Sequence, residues 1–140
     1  MHVLRRALAY LWALPTTMIG LVLGTVALAT GGHAAVVDGV LEARGGWIRR
    51  ALRRFPFARG GGAVTLGHVV LGTSRSALSA TRAHERVHVA QCERWGPFFL
   101  PAYALASLWA LARGARPYRD NRFERQAFEI GDRDTAQRAI

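Results

Sequence analysis

The chain has 140 residues, 51% of them hydrophobic and 20% charged, so one small core is the most it can bury. All 19 basic residues are arginine, and the resulting net charge of +10 indicates acidic partners or an anionic membrane face. The only cysteine, Cys92, excludes an internal disulfide and a thiolate-rich metal site.

The first predicted element is an apolar segment. No Asp, Glu or Arg occurs from 7 to 37, and "ALAYLWALPTTMIGLVLGTVALAT" exceeds the roughly 20 apolar residues that cross a bilayer. We therefore predict a transmembrane helix as a membrane anchor in residues 1–32, with the domain in 33–140. A cleaved signal peptide is the alternative, because Arg5 and Arg6 precede the segment and "ALA" at 27–29 resembles a cleavage site.

Two segments rich in β-branched residues, 34–43 and 63–72, predict two short strands that form a hairpin. In the second segment, alternation places His68 on the same face as Val64, Leu66 and Val70. His68 then faces either a site or a polar edge, and a structural histidine is the favoured interpretation.

Between these segments, "WIRRALRRF" predicts an amphipathic helix. Four arginines occupy one face, and the opposite face carries Trp47, Ile48, Ala51, Leu52 and Phe55. Two interpretations remain open: a helix lying on anionic lipid, or a helix facing the core with a solvated basic face. Nucleic-acid binding is less favoured, since no recognisable nucleic-acid module accompanies the charge.

The arginine counts also predict membrane orientation, because short Arg-rich flanks tend to stay in the cytoplasm. Arg5 and Arg6 precede the apolar segment, and a larger group follows it: Arg44, Arg49, Arg50, Arg53 and Arg54. The larger group favours a cytoplasmic domain.

The stretch "RAHERVHVAQ", residues 82–91, lies on a helix predicted from Leu78 to Trp95 and stopped by "GP". His84 and His88 are one helical turn apart, so both imidazoles can bind one zinc ion while Glu85 activates water. Gln91 shares this face. Composition alone gives about 0.006 chance matches to H-E-x-x-H, so the signal is specific.

These residues resemble the zincin metallopeptidases, which implies zinc bound by His84 and His88 and Glu85 as the general base for peptide-bond hydrolysis. Arg94 stands where the metzincin type has a third histidine, which excludes that type. The gluzincin type implies a glutamate on a later helix, and "NRFERQAFE" offers Glu124. Phe128 departs from the pattern, because an aspartate that orients a zinc-bound histidine would stand there. Glu129 and Asp120 are the alternatives for that role.

Glu124 has a second interpretation, in which it completes a capping box with Asn121. If so, His68 and Glu129 remain as third-ligand candidates. Glu93 is excluded, since it lies on the opposite side of the helix from His84. Tyr118, on the loop before the helix, either stabilises an oxyanion or packs.

Residues 95–112 form a second uncharged stretch. If it crossed the membrane, its ends would be about 27 Å apart, with His88 on one side and Glu124 on the other, and the two residues could not bind one ion. Gly96, Pro97 and Pro101 also shorten the usable helix. We therefore predict a buried or membrane-resting helix that turns the chain back.

Together these elements predict an α+β fold with a transmembrane anchor, a short hairpin and an active-site helix pair. The sequence over 84–103 and 118–129 also resembles small bacterial membrane proteins of the zincin kind. That resemblance implies a membrane-anchored, Zn²⁺-dependent peptidase acting on a peptide or protein substrate near the bilayer. The alternative is a non-catalytic membrane protein that binds metal, anionic lipid or a protein partner. A nucleic-acid-binding tether is the third hypothesis and predicts strongly salt-dependent affinity.

Overall fold

A computed structural model of the chain describes residues 2–54 and 62–138. Its helices are α1 His2–Trp12, α2 Leu14–Ala29, α3 Gly46–Arg54, α4 Arg75–Trp95, α5 Phe99–Ala112 and α6 Arg122–Arg138, with a 3-10 turn at Gly96–Phe98. The strands are β1 His33–Val37, β2 Val40–Arg44, β3 Ala63–Leu66 and β4 Val69–Gly72. The α+β prediction is confirmed.

The strands form one sheet in the order β1-β2-β4-β3, with β2 and β4 parallel and the outer pairs antiparallel. The prediction of a single two-stranded hairpin is wrong, because each predicted strand is itself a hairpin. Asp38 and Gly39 both have positive φ, 51° and 78°, as the tight turn between β1 and β2 requires. Gly67, with φ 64°, turns β3 into β4. His68 therefore lies in a turn, and the predicted alternation does not pass through it.

The sheet has helices on both faces. On one face, Val69 and Leu71 of β4 pack with Ala27 of α2 and Ile48 of α3. Val70, whose side chain points the other way, packs with α4 in a cluster with Val40, Leu78 and Val89. This arrangement fixes α4, which carries the motif, against the sheet.

The predicted transmembrane helix is broken, which corrects its description as one continuous span. α1 and α2 meet at an angle of 69° near Ala13. Pro15 stands in the first turn of α2, where it has no N–H to donate and its ring clashes with a continuous preceding helix. The N-terminal segment is therefore two helices.

α2 packs closely on the sheet through small residues. Thr16, Gly20, Gly24 and Ala27 are buried and share one helical face. A Cβ added at Gly20 would lie 2.7 Å from Cβ of Val69, so only glycine permits this approach. The segment predicted as an anchor thus forms part of the core on one side.

The sides of α1, α2 and α5 that face away from the core are apolar and exposed. Most of the large exposed hydrophobic side chains lie on α1, α2 and α5, including Leu8, Leu11, Ile19, Val22, Leu28, Leu105, Leu108 and Trp109. By length and composition, the helical stretch Arg75–Ala112 is able to cross a membrane, and α1 with α2 meets the same criteria as a bent pair. Since α4 carries charged residues along its length, the apolar part of the first stretch is α5.

α3 is amphipathic, as predicted over its described residues; Phe55 lies outside them. Ile48 is buried, while Arg49, Arg50, Arg53 and Arg54 are exposed. Because Ile48 packs against the sheet, the apolar side of α3 faces the core. The core-facing interpretation therefore describes α3.

α4 ends at Trp95, as predicted, and begins at Arg75, where the Ser74 hydroxyl accepts a hydrogen bond from the backbone N–H of Ala77. Gly96, with φ 54°, then starts a turn. The chain returns after α5, because the Asn121 side chain donates to the Tyr103 carbonyl and the Ser107 hydroxyl. Asn121 also accepts from the N–H of Phe123 and so caps α6.

Candidate metal centre

Two helices bring three potential ligands together. His84 Nε2 and His88 Nε2 on α4 are 3.1 Å apart. From α6, Glu124 places Oε2 3.1 Å from His84 Nε2 and Oε1 3.3 Å from His88 Nε2. This group of two imidazoles and one carboxylate could hold a metal ion.

The spacing of these atoms fits zinc. Ligands at 2.0–2.1 Å from a tetrahedral ion are separated from one another by about 3.3–3.4 Å. The two Nε2 atoms, 3.1 Å apart, are close to that separation, and each faces a different oxygen of Glu124 at 3.1 or 3.3 Å. One ligand atom from each of the three residues lies within 4.8 Å of the other two. The donor set of two histidines and one glutamate is also one that zinc accepts, with a fourth position left for water or substrate.

The Gln91 side chain orients His88. Its Nε2 donates to the Phe123 carbonyl and to Gln126 Oε1, so its Oε1 faces His88 Nδ1 at 2.8 Å. His88 Nδ1 must therefore carry a proton, and Nε2 is the ring nitrogen that faces Glu124. Hydrogen bonding of this kind fixes the tautomer of a metal-binding histidine.

Glu124 is buried and anionic. Its Oε1 accepts a 2.6 Å hydrogen bond from the Tyr103 hydroxyl, while its Oε2 has no hydrogen-bond partner in the described chain. Burial raises the pKa of this carboxyl, but contacts with His84 and His88 lower it more strongly, to about 2. The capping-box interpretation does not describe this side chain, which faces the histidines instead of the start of α6.

Glu85 lies beside this group and is not one of the three converging ligands. Its Oε2 accepts a 2.6 Å hydrogen bond from the Thr65 hydroxyl of β3. The side chain is only 4% exposed, and burial raises the pKa of its carboxyl, although contacts with His88 and Thr65 lower it in part. A buried carboxyl with a raised pKa beside three potential metal ligands is suited to proton transfer.

Apart from His88 and Glu124, His84 contacts an aromatic ring and no second carboxylate within the described residues. The Phe128 and His84 rings have centroids 4.6 Å apart. Asp120 and Glu129, the two alternatives for the missing aspartate, do not orient His84. Asp120 pairs with Arg116, and Glu129 pairs with Arg133. The side chain that packs against His84 in place of the expected aspartate is therefore apolar.

His68 is not brought to the three-ligand group. Its Nε2 lies 2.9 Å from Glu93 Oε1, and its ring stacks on Tyr10 with centroids 3.7 Å apart. Its Nδ1 faces the Thr17 hydroxyl at 3.4 Å. His68 thus connects the β3–β4 turn to α1, α2 and α4.

An apolar cavity of about 290 Å³ opens onto the metal group at the edge of the sheet. All four β3 residues line it, together with α3 and α2 side chains such as Trp47, Ile48, Leu52 and Leu23. Tyr103 and Tyr118 line its polar end beside Glu85 and Glu124. An apolar group of a small molecule or peptide bound in this cavity would lie next to His84, His88 and Glu124.

Sequence reasoning missed several residues that build this site. Tyr103 and Thr65 contact the two glutamates, but no spacing relates them to the motif. Gln126 completes the Gln91 network from α6. Gly131 did have a signal, an isolated glycine inside a helix, and a Cβ there would lie 3.0 Å from the His84 backbone.

Comparison with known proteins finds no match among family models, curated proteins or solved structures. The function must therefore be argued from the arrangement of the residues themselves.

Proposed function

We propose that this chain is a membrane-associated, zinc-dependent metallopeptidase. The observation that carries the proposal is the convergence of His84, His88 and Glu124 within 3.1–3.3 Å of one another, with Glu85 beside them. The order of ligands along the chain is that of the gluzincin type, which the sequence resembles.

Each residue then has a distinct task. His84, His88 and Glu124 would hold a zinc ion, which would supply Lewis acidity toward a water molecule and a substrate carbonyl. Glu85 takes a proton from the attacking water and returns it to the leaving amine. Since Thr65 occupies Glu85 Oε2, the proton is held at Oε1. Tyr103 holds Glu124 toward the histidines through its 2.6 Å hydrogen bond.

The edge of the sheet supports an extended peptide as the substrate. β3 is an edge strand, and within residues 2–54 and 62–138 no other strand pairs with its outer side. Unpaired N–H and C=O groups of an edge strand bind a peptide by strand addition. A peptide bound along β3 would present an apolar side chain to the cavity.

The exposed apolar sides of α1, α2 and α5 support a location at the membrane. Contiguous apolar surface of this extent is rare on a soluble monomer. We propose that the bent pair α1–α2 is embedded in the bilayer while α5 rests against it, so that hydrolysis takes place near the membrane. Arginine counts favour the cytoplasmic side for the remaining residues.

The test compares two substitutions in detergent-purified protein. Glu85→Gln should keep one zinc ion per chain and lose peptide hydrolysis by about 100-fold or more, because only the base is removed. His84→Ala should lose both zinc and hydrolysis, since two remaining ligands hold the ion poorly. Zinc content by metal analysis and digestion of a peptide library are the two measurements. Wild-type cleavage by Glu85→Gln would contradict the mechanism.

A non-catalytic metal site is the second candidate function. Phe128 favours it, because an apolar contact on His84 lacks the carboxylate that raises the basicity of a zinc ligand. One zinc ion per chain with no cleavage in any peptide library would support this candidate. In that case the metal and the basic surface would serve binding of lipid or a partner.

A further inference from the structure

A groove between α4, α6 and residues 113–121 lies outside the metal centre. Its lining includes Trp95, Phe123, Phe128 and five exposed arginines: Arg94, Arg116, Arg119, Arg122 and Arg125. Two acidic side chains, Glu129 and Asp132, also line it. Five cations against two anions leave an excess of three positive charges.

Most of these arginines have no carboxylate partner. Arg116 pairs with Asp120, but none of the other four is within ion-pair distance of a carboxylate in the part of the chain that the structure describes. One of the two acidic residues, Glu129, is already paired with Arg133. The groove therefore holds cationic groups whose charges the described residues do not balance.

Aromatic rings hold two of these cations in place. The Arg119 guanidinium lies 5.6 Å from the centre of the Phe128 ring, and the Arg122 guanidinium lies 5.4 Å from that of Phe123. Such stacking orients the planar group and leaves its N–H donors at the rim free to meet an anion. A phosphate, which accepts paired hydrogen bonds from arginine, suits this arrangement.

The groove begins where an exposed apolar helix ends. Leu105, Leu108 and Trp109 of α5 are each more than 60% exposed. Arg113 follows this helix, with its guanidinium 5.8 Å from the centre of the Trp109 ring. Apolar surface next to arginine and an aromatic ring is the arrangement of a segment at the boundary between acyl chains and headgroups.

We propose that this groove binds the phosphate of an anionic phospholipid while the apolar side of α5 lies among the acyl chains. The bilayer is the occupant that accounts for both features, since a soluble anion explains the charge but not the adjacent apolar helix. The proposal rests on the membrane association put forward above and not on the zinc chemistry. The proposal does not extend to α3, because the described apolar side chains of that helix face the sheet and the cavity.

The experiment measures binding of phosphatidylglycerol to the full chain in detergent micelles by native mass spectrometry, with phosphatidylcholine as the reference lipid. The groove variant is Arg94→Gln with Arg125→Gln, because both are exposed and neither stacks on a ring. The matched control is Arg49→Gln with Arg53→Gln on α3, which removes the same charge. The far-ultraviolet circular dichroism spectrum and the denaturant midpoint of each variant report whether the fold is intact.

We expect the groove variant to lose phosphatidylglycerol affinity by about fivefold per arginine removed, so about 25-fold in all. The control should change by less than threefold. Equal losses in both variants would overturn the proposal, because the binding would then depend on total charge. Displacement of the lipid by millimolar inorganic phosphate, or by a short RNA at physiological salt, would also overturn it.

Failure of this test leaves the metallopeptidase proposal standing, since zinc content and peptide cleavage are measured independently. Conversely, if the protein binds phosphatidylglycerol in the groove but contains no zinc, the lipid proposal stands and the metallopeptidase proposal is rejected. If the double variant does not fold, Arg119→Gln alone gives the same comparison against Arg49→Gln, with about fivefold expected.

Discussion

At the scale of single residues, Glu124 lies where a metal ligand would lie, whereas His68 has a structural role. Sequence reasoning named both as possible third ligands, and only Glu124 lies against His84 and His88 in the structure. Glu124→Ala should therefore weaken zinc binding by about 100-fold or more, because the ion loses one of three ligands. His68→Ala should change zinc affinity by less than about threefold. Competition with a zinc chelator measures both, and equal affinities would demote Glu124.

Glu42 gives a stability prediction at the same scale. Arg82 donates two 2.9 Å hydrogen bonds to its carboxylate, and Arg86 donates a third of 3.0 Å. The Arg82 hydrogen bonds lower the pKa of Glu42 below 4.5, although burial opposes them. Since the pKa is lower in the folded state, this contribution is fully present above pH 4.5 and is lost as pH falls through the folded value.

Glu42→Gln should therefore lower the free energy of unfolding by about 2 kcal/mol at pH 7, and the difference should shrink below pH 4.5. Chemical denaturation of the detergent-solubilised protein across this range measures it. The control is Glu129→Gln, which removes an exposed i,i+4 pair with Arg133 and should cost at most about 0.5 kcal/mol. A constant difference at all pH values would contradict the role of the carboxylate charge.

At the scale of elements, the sequence predicts the features that depend only on residues close together in the chain. The motif helix ends at Trp95 as predicted, because Gly-Pro stops a helix through local chemistry. The strand prediction is wrong at Asp38–Gly39, because this tight hairpin turn stands between two apolar flanks that together resemble one strand. The pairing of β2 with β4 and the closing of the site by Tyr103 depend on contacts distant in sequence, which no local pattern encodes.

The distance between α4 and α6 is set at Gly131. A Cβ there would lie 3.0 Å from both the N and Cα atoms of His84, so a larger side chain must push the helices apart. Glu124 on α6 would then move away from the histidines. Gly131→Val should lower zinc affinity by about tenfold and stability by about 1–3 kcal/mol.

Ala136→Val is the matched control, because Ala136 is exposed on the same helix. It introduces the same β-branched side chain, with its low helix propensity, away from α4. Zinc affinity and denaturant midpoint are measured for both variants. If the two substitutions lower zinc affinity equally, close packing at Gly131 does not position Glu124.

At the scale of the whole molecule, one surface carries the exposed apolar helices and the interior holds the charged site. The β3 edge and the apolar cavity meet at the metal group, while the arginine groove lies on the other side of α6 near the end of α5. A bilayer along α1, α2 and α5 would leave the motif helix against the sheet. Metal ligation and membrane topology are therefore linked, since α5 separates the two helices that supply ligands.

The last prediction tests that link by labelling. His84 and Glu124 are in contact at 3.1 Å, whereas the hydrocarbon core of a bilayer is about 30 Å thick, so α5 cannot carry the chain across it. Cysteine introduced at Ala83, beside the first ligand, or at Ala115, before α6, should react with a membrane-impermeant thiol reagent from the same face. A Cys92→Ser background removes the single native thiol, and permeabilised membranes control for accessibility. Arginine counts predict the cytoplasmic face for both. Labelling of both from outside would reverse the orientation and keep the site, whereas labelling from opposite faces would exclude Glu124 as a ligand.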